Sequence, residues 1–264
     1  MTDTDANGTD TDGENTNAEN CLQLPSINAV IVGNGAIGTA LLETLLDNSR
    51  LQHAVILGRQ CKPLPDDGRV RFCHLDALKP DSITSAAVEV RELCGRLHLL
   101  VNTVGMLHSE TQQPEKRLSD VTTESLQHSF AINAGLLASL AQAFGPLLRH
   151  AEPAVLASLS ARVGSIEDNQ LGGWYSYRAA KAAHNMLLRT LSREWRLSHR
   201  NVSVVALHPG TVRSPLSSPF ISSTYANRVL TPQESAGYLM RLISTLSPDD
   251  SGLFYDWRGH TIPW

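Results

Sequence analysis

Ala29-Val30-Ile31-Val32-Gly33-Asn34-Gly35-Ala36-Ile37-Gly38 decides the fold of this 264-residue chain. Four apolar residues in a row read as a buried strand, and Thr39-Ala40-Leu41-Leu42-Glu43-Thr44-Leu45-Leu46 carries helical periodicity. Strand, glycine turn and helix in that order are the context a dinucleotide-binding loop requires. The first glycine permits the tight turn, and the second lets backbone approach a pyrophosphate. The third lets the helix pack close to the sheet, with the phosphates facing the helix N-terminus.

Outward from that loop, short apolar runs alternate with helical segments, the signature of βαβ units. Strands are expected at 29–32, 53–57, 70–75, 97–102, 154–160, 202–207 and 252–257. Helices are expected at about 36–47, 81–94, 123–150, 175–198 and 232–246. This pattern predicts a doubly wound, seven-stranded parallel sheet in a three-layer α/β/α sandwich, one domain over 23–264. Segments 105–119 and 209–230 read as long loops after strand ends, where ligands bind in open α/β sheets, and should wall a substrate pocket. Met106, Leu107, Trp174 and Phe220 suggest an apolar lining, although such residues serve packing as readily as recognition.

Composition bounds the function. With 42% hydrophobic residues the chain can bury a sizeable core. Residues 1–22 are expected to form a disordered acidic tail, because the first twenty hold six acidic residues, no basic one and almost no apolar side chain. The remainder carries 20 acidic against 22 basic residues, which argues against nucleic acid as a partner. No window approaches the ~20 apolar residues of a membrane span, and the N-terminus lacks signal-peptide character, so a cytoplasmic protein without membrane partners is expected. Cys21, Cys61, Cys73 and Cys94 form no CxxC pair and read as reduced, mostly buried thiols; no metal site is expected.

Tyr177 and Lys181 stand four residues apart in a helical run, so both lie on one face. A free phenol titrates near ~10, and a neighbouring cation favours its ionised form, so the pair can serve as a tuned acid/base. Alone, the spacing is equally that of an amphipathic surface contact.

From about residue 27 onward the chain resembles the short-chain dehydrogenase/reductase family. Tyr177 and Lys181 match its YxxxK pair, and Asn102-Thr103-Val104-Gly105 stands where the family shows NNAG. His208-Pro209-Gly210-Thr211-Val212-Arg213-Ser214 follows the sixth strand. It looks most like the C-factor-like group, named for a bacterial signalling protein, and the sniffer-type carbonyl reductases. Pro114-Glu115-Lys116, Ser160-Ala161-Arg162-Val163-Gly164-Ser165-Ile166, Gly172-Gly173-Trp174-Tyr175-Ser176-Tyr177-Arg178, Phe254-Tyr255-Asp256-Trp257 and Ile262-Pro263-Trp264 carry that likeness.

The resemblance implies a Rossmann fold and reversible hydride transfer between a nicotinamide and a small carbonyl or alcohol substrate. Tyr177 would protonate the carbonyl oxygen, while Lys181 would lower the phenol's pKa and hold ribose hydroxyls. Asn133 would bend its helix and hold a water near Lys181, or else mark a surface kink. Asn102 would brace the sheet beside the cofactor. Gly33, Asn34, Gly35, Ile37 and Gly38 would grip the pyrophosphate, Asp76 the adenine, and Val104 with Gly105 the adenosine side. Pro209, Gly210, Thr211, Val212 and Ser214 would flank the nicotinamide. Arg59, after the second strand, suits a 2′-phosphate and favours NADP(H) over NAD(H), unless it is an ordinary exposed arginine. Assembly stays open among monomer, homodimer and homotetramer.

Two departures from the family pattern matter. The glycine loop is one residue shorter than TGxxxGxG and lacks its threonine. The family's catalytic serine falls on Ala161, leaving three readings: Ser160 swings in, the preferred one; Ser165 replaces it; or no serine acts. A low-turnover nucleotide-binding sensor of the C-factor type is the rival to the enzyme.

Overall fold

The structure, a computed structural model, describes residues 20–222 and 227–264. Its strands are β1 (Ile27–Val32), β2 (Leu51–Gly58), β3 (Val70–His74), β4 (Leu99–Asn102), β5 (Ala154–Leu159), β6 (Val202–His208), β7 (Thr211–Val212), β8 (Val229–Leu230) and β9 (Phe254–Asp256). The helices are α1 (Ala36–Leu46), α2 (Pro80–Cys94), α3 (Thr123–Phe130), α4 (Leu136–Leu148), α5 (Tyr175–Ser198) and α6 (Pro232–Ile243).

Seven strands pair in parallel in the order β3-β2-β1-β4-β5-β6-β9. All seven predicted strands and the three layers are present. The chain winds outward from β1 in both directions, so a crevice opens between the carboxyl ends of β1 and β4. Alternation along β1 shows why both faces are covered: Val30 and Val32 join the core beneath α2, α4 and α5, while Ala29 and Ile31 join the one beneath α1 and α6. The loop expected at 209–230 contains the small parallel pair β7 and β8, which folds it back toward the cleft.

Three expectations are corrected. The helix predicted at 123–150 is interrupted by a π turn over Ala131–Gly135, between α3 and α4. The stretch Thr123–Leu148 does reach membrane-spanning length and mean hydropathy (1.4), but 56% of its apolar window is buried inside the fold, where Leu136, Leu137, Leu140 and Phe144 pack against the sheet. The predicted tail ends earlier than residue 22. Asn20 donates to the carbonyls of Ile243 and Leu246 at 2.9 and 2.8 Å, and Cys21 is buried, so residues 20–22 close the C-terminus of α6. These donors satisfy helix-end carbonyls that would otherwise lack partners. The rest of the predicted tail lies outside the described residues.

Candidate active site

A cleft of about 760 Å³ lies over the carboxyl ends of β4, β5 and β6. Ile37, Val104 and Gly105 line one side and Pro209, Gly210, Thr211, Val212 and Ser214 the other, so the structure brings these eight predicted positions together. Tyr177, Lys181 and Ser160 line it as well. Leu107, Trp174 and Phe220 form its apolar wall, and Met106 does not line it.

The glycine loop forms the rim. Gly33 has φ +101°, and a Cβ on Gly38 would lie 1.8 Å from the Gly33 carbonyl oxygen, so only glycine lets α1 start against the turn. No atom lies within 4 Å of a Cβ built on Gly35, which caps α1 without a side-chain hydrogen bond. That open space beside unsatisfied helix N–H groups fits a pyrophosphate. Thr103 Oγ1 reaches across from the end of β4 to the carbonyls of Val32 (2.9 Å) and Gly33 (3.0 Å), tying the glycine turn to its neighbouring strand.

α5 carries the reactive pair. Tyr177, Lys181 and His184 share its buried face. The Tyr177 hydroxyl has no hydrogen-bond partner among the described residues, and the Lys181 ammonium lies 5.9 Å from the phenol ring centroid. Lys181 Nζ donates to the Leu159 carbonyl at 2.8 Å, which aims it along the end of β5. Burial pushes Lys181 down to about 8 and pushes the Tyr177 phenol above its ordinary value. The phenol is therefore not made more acidic as expected, because burial disfavours its charged form. A Cβ on Gly164 would come within 2.8 Å of Lys181, so this glycine lets the loop after β5 lie directly on α5.

Asn133 sits in the π turn and is 2% exposed, so it is no surface kink. Its amide accepts from Met106 N–H at 2.9 Å and donates to Met106 O and Ser129 Oγ at 2.8 and 3.1 Å. Asn102 ties β4 to β5: its amide donates to Ser158 Oγ (3.0 Å) and its oxygen accepts Val104 N–H (3.1 Å). Ser158 in turn pairs with His184 Nε2 at 2.8 Å, tying α5 to the central strands. Burial holds His184 down at about 3, so it is neutral. The sequence reading missed His184 and Asn185, whose spacing from Lys181 along the helix was the available signal.

Ser160 stands just past the end of β5, free of the strand alternation that would have turned it away. Its hydroxyl donates to Asn185 Oδ1 at 2.6 Å. Ser165 does not reach the cleft; it is buried against the C-terminus, accepting Asp168 N–H and bonding to Trp264 O.

At the far rim, Arg59 is exposed after β2. Asn34 does not face the cleft: its side-chain amide donates to Gln60 O at 2.6 Å, and its main-chain carbonyl accepts Lys62 Nζ at 2.7 Å. Lys62, which the sequence reading passed over, thus joins Arg59 on this edge. Asp76 opens the turn into α2, where Oδ1 accepts Leu78 N–H at 3.1 Å and Lys79 stands 3.7 Å away.

The comparisons with known proteins agree with this architecture. A family model described as Enoyl-(Acyl carrier protein) reductase matches residues 50–249. C-signal of Myxococcus xanthus is 33% identical over 147 residues, 56% of this chain and 83% of its own. The 1-hydroxy-2-glutathionyl-2-methyl-3-butene dehydrogenase of Rhodococcus sp. (strain AD45) is 30% identical over 191 residues, covering 72% and 78%. The NADPH-bound carbonyl reductase from chicken fatty liver superposes with a TM-score of 0.81 at 27% identity, over 91% of this chain and 95% of that one. With its glycine-rimmed parallel sheet and the Tyr177–Lys181 pair on α5, the chain belongs to the short-chain dehydrogenase/reductase family.

Proposed function

We propose that this chain is a carbonyl reductase that uses a nicotinamide cofactor, NADP(H) in preference to NAD(H), on a small aldehyde, ketone or quinone, or on the corresponding alcohol in reverse. The observation that carries this reading is the partner-free Tyr177 hydroxyl in the cleft, with the Lys181 ammonium 5.9 Å from its ring. A bound nicotinamide supplies the hydride. The protein's own groups supply position and the proton.

A phenol is protonated at neutral pH and burial raises its pKa further, so Tyr177 would be ready to donate to the oxygen on which negative charge develops. Lys181, charged below about 8 and held by Leu159 O, favours the phenolate left behind. Proton donation of this kind is worth roughly 10²–10⁴-fold, and orientation by the cleft must supply the larger share. Ser160, which lines the cleft, would be the serine that touches the substrate oxygen, whereas Ser165 packs against Trp264. The open rim at Gly35 would hold the pyrophosphate. Arg59 and Lys62 would meet the 2′-phosphate, consistent with NADPH in the chicken reductase.

A panel of aldehydes, ketones and quinones with NADPH, run beside Tyr177→Phe, tests the reading. Turnover in the parent that falls by about 10²-fold or more in the variant, with NADPH binding retained, supports it. Cofactor binding without turnover on any member of the panel would replace it with the sensor.

A further inference from the structure

Glu115 is a buried carboxylate, 4% exposed, and no ion pair reaches it among the described residues. Such a charge is costly unless donors surround it. They come from two helices: Ser125 Oγ on α3 donates to Oε1 at 3.0 Å, and on α5 Ser176 donates its backbone N–H to Oε2 at 3.1 Å and its hydroxyl to Oε1. Burial acts to raise this carboxyl, but the Ser176 and Ser125 hydrogen bonds together outweigh it and hold the group below the ordinary range.

The partners show what the charge does. α5 begins after three consecutive left-handed residues, Gly172 (φ 63°), Gly173 (φ 64°) and Trp174 (φ 53°), and Trp174 provides no side-chain cap. Left-handed backbone is uncommon for a bulky residue and persists only where its surroundings hold it. Here the main-chain carbonyl of Glu115 accepts Trp174 N–H, while its carboxylate caps Ser176 and faces the positive end of the helix dipole. A residue 61 positions upstream thus caps the helix that carries Tyr177.

The same network holds the other end of the segment 106–116. Ser129 Oγ donates to Ser176 O (3.2 Å) and accepts from Asn133 Nδ2, and Asn133 grips both backbone groups of Met106. The segment is therefore tied at both ends to groups adjoining Tyr177. The wall it supports is aromatic: the Trp174 ring lies 6.4 Å from Tyr177 and 5.2 Å from Phe220, and Phe220 lies 5.6 Å from His108.

We propose that Glu115 is a positioning residue for the substrate half of the cleft: it clamps segment 106–116 to the start of α5 and so sets Trp174 and Tyr177 relative to a bound carbonyl compound, without contributing to cofactor affinity. The cofactor rim at 33–38 and 59–62 shares none of these bonds. This inference rests on the reductase reading for its kinetic arm only.

Glu115→Ala and Glu115→Gln are compared with the parent by NADPH titration, steady-state kinetics and amide hydrogen exchange over 172–177. In Glu115→Ala, kcat/KM should fall about 30-fold or more, since small misplacements at a reacting centre are amplified, while NADPH Kd stays within about twofold. Exchange over 172–177 should rise. Glu115→Gln, which keeps the shape and one acceptor, should recover part of both effects. Unchanged exchange, unchanged kcat/KM, or a proportional loss of NADPH binding and turnover would overturn the proposal. If Glu115→Ala does not fold, Glu115→Gln decides alone: parental kinetics and exchange overturn the clamp, and faster exchange with parental NADPH affinity supports it. If the parent protein has no turnover, the reductase reading falls while the exchange measurement still decides the clamp.

Discussion

The hydroxyl of Ser160 donates to Asn185 Oδ1 across 2.6 Å, one helical turn beyond Lys181. Asn185 cannot readily offer its other end, because its Nδ2 faces Gly164 O at 3.3 Å. A serine has one proton to give. For Ser160 to polarise a substrate carbonyl, that proton must leave Asn185, so part of the interaction is offset. Ser160→Ala should therefore lower kcat by about tenfold, less than the ~10²–10³ typical of a free oxyanion donor. Ser165→Ala should leave kcat within about twofold of the parent, because that hydroxyl packs on the C-terminus. Steady-state turnover of both variants with NADPH, compared with the parent, ranks the two serines.

Lys181 makes activity fall as pH rises. Its ammonium is pushed down to about 8 by burial, so the charge that favours the phenolate is present below that value and lost above it. Stability moves the other way: between about 8 and its ordinary 10.5 the unfolded chain binds the proton that the folded chain has released, so unfolding free energy rises with pH. A kcat/KM–pH profile that declines through about 8 in the parent, and stays flat there at a much lower rate in Lys181→Gln, is the expected result.

His184 sensitises the fold to acid. Burial holds it neutral down to about 3 from an ordinary 6.5, so across that window the unfolded chain binds a proton that the folded chain refuses. Stability conferred by the neutral ring is complete above 6.5 and is lost as pH falls toward about 3. His208, held at about 4 by burial, acts in the same sense. Denaturant unfolding at several pH values should show His184→Gln losing stability less steeply in acid than the parent, by up to about 1.4 kcal/mol per pH unit.

Arg59 and Lys62 should set the choice between the two nicotinamide cofactors. Arg59→Ala should weaken NADPH binding about tenfold or more and leave NADH almost untouched, since a charged group gains most from a charge-assisted partner. Lys62→Ala should show a smaller loss, because part of that ammonium's bonding already goes to the Asn34 carbonyl. Fluorescence titration with both cofactors separates the two effects.

Much of this architecture was legible in the chain itself. Buried parallel strands are continuous apolar runs, and a glycine turn between such a run and a helix has few uses, so local pattern determined the order of elements, the sheet and the glycine turn at the start of α1. The i, i+4 spacing likewise placed Tyr177 and Lys181 on one face, because helical geometry follows from the backbone alone. What pattern could not decide were matters of which distant group meets which. Only the packed fold shows Thr103 bracing the glycine turn, Asn185 holding the proton of Ser160, and Glu115 capping a helix 61 residues away. Only burial, a property of the whole fold, turned the phenol upward where adjacency alone predicted a fall. Desolvation and long-range hydrogen bonding depend on neighbours that tertiary structure brings together, whereas periodicity and turn chemistry act between residues already close along the chain.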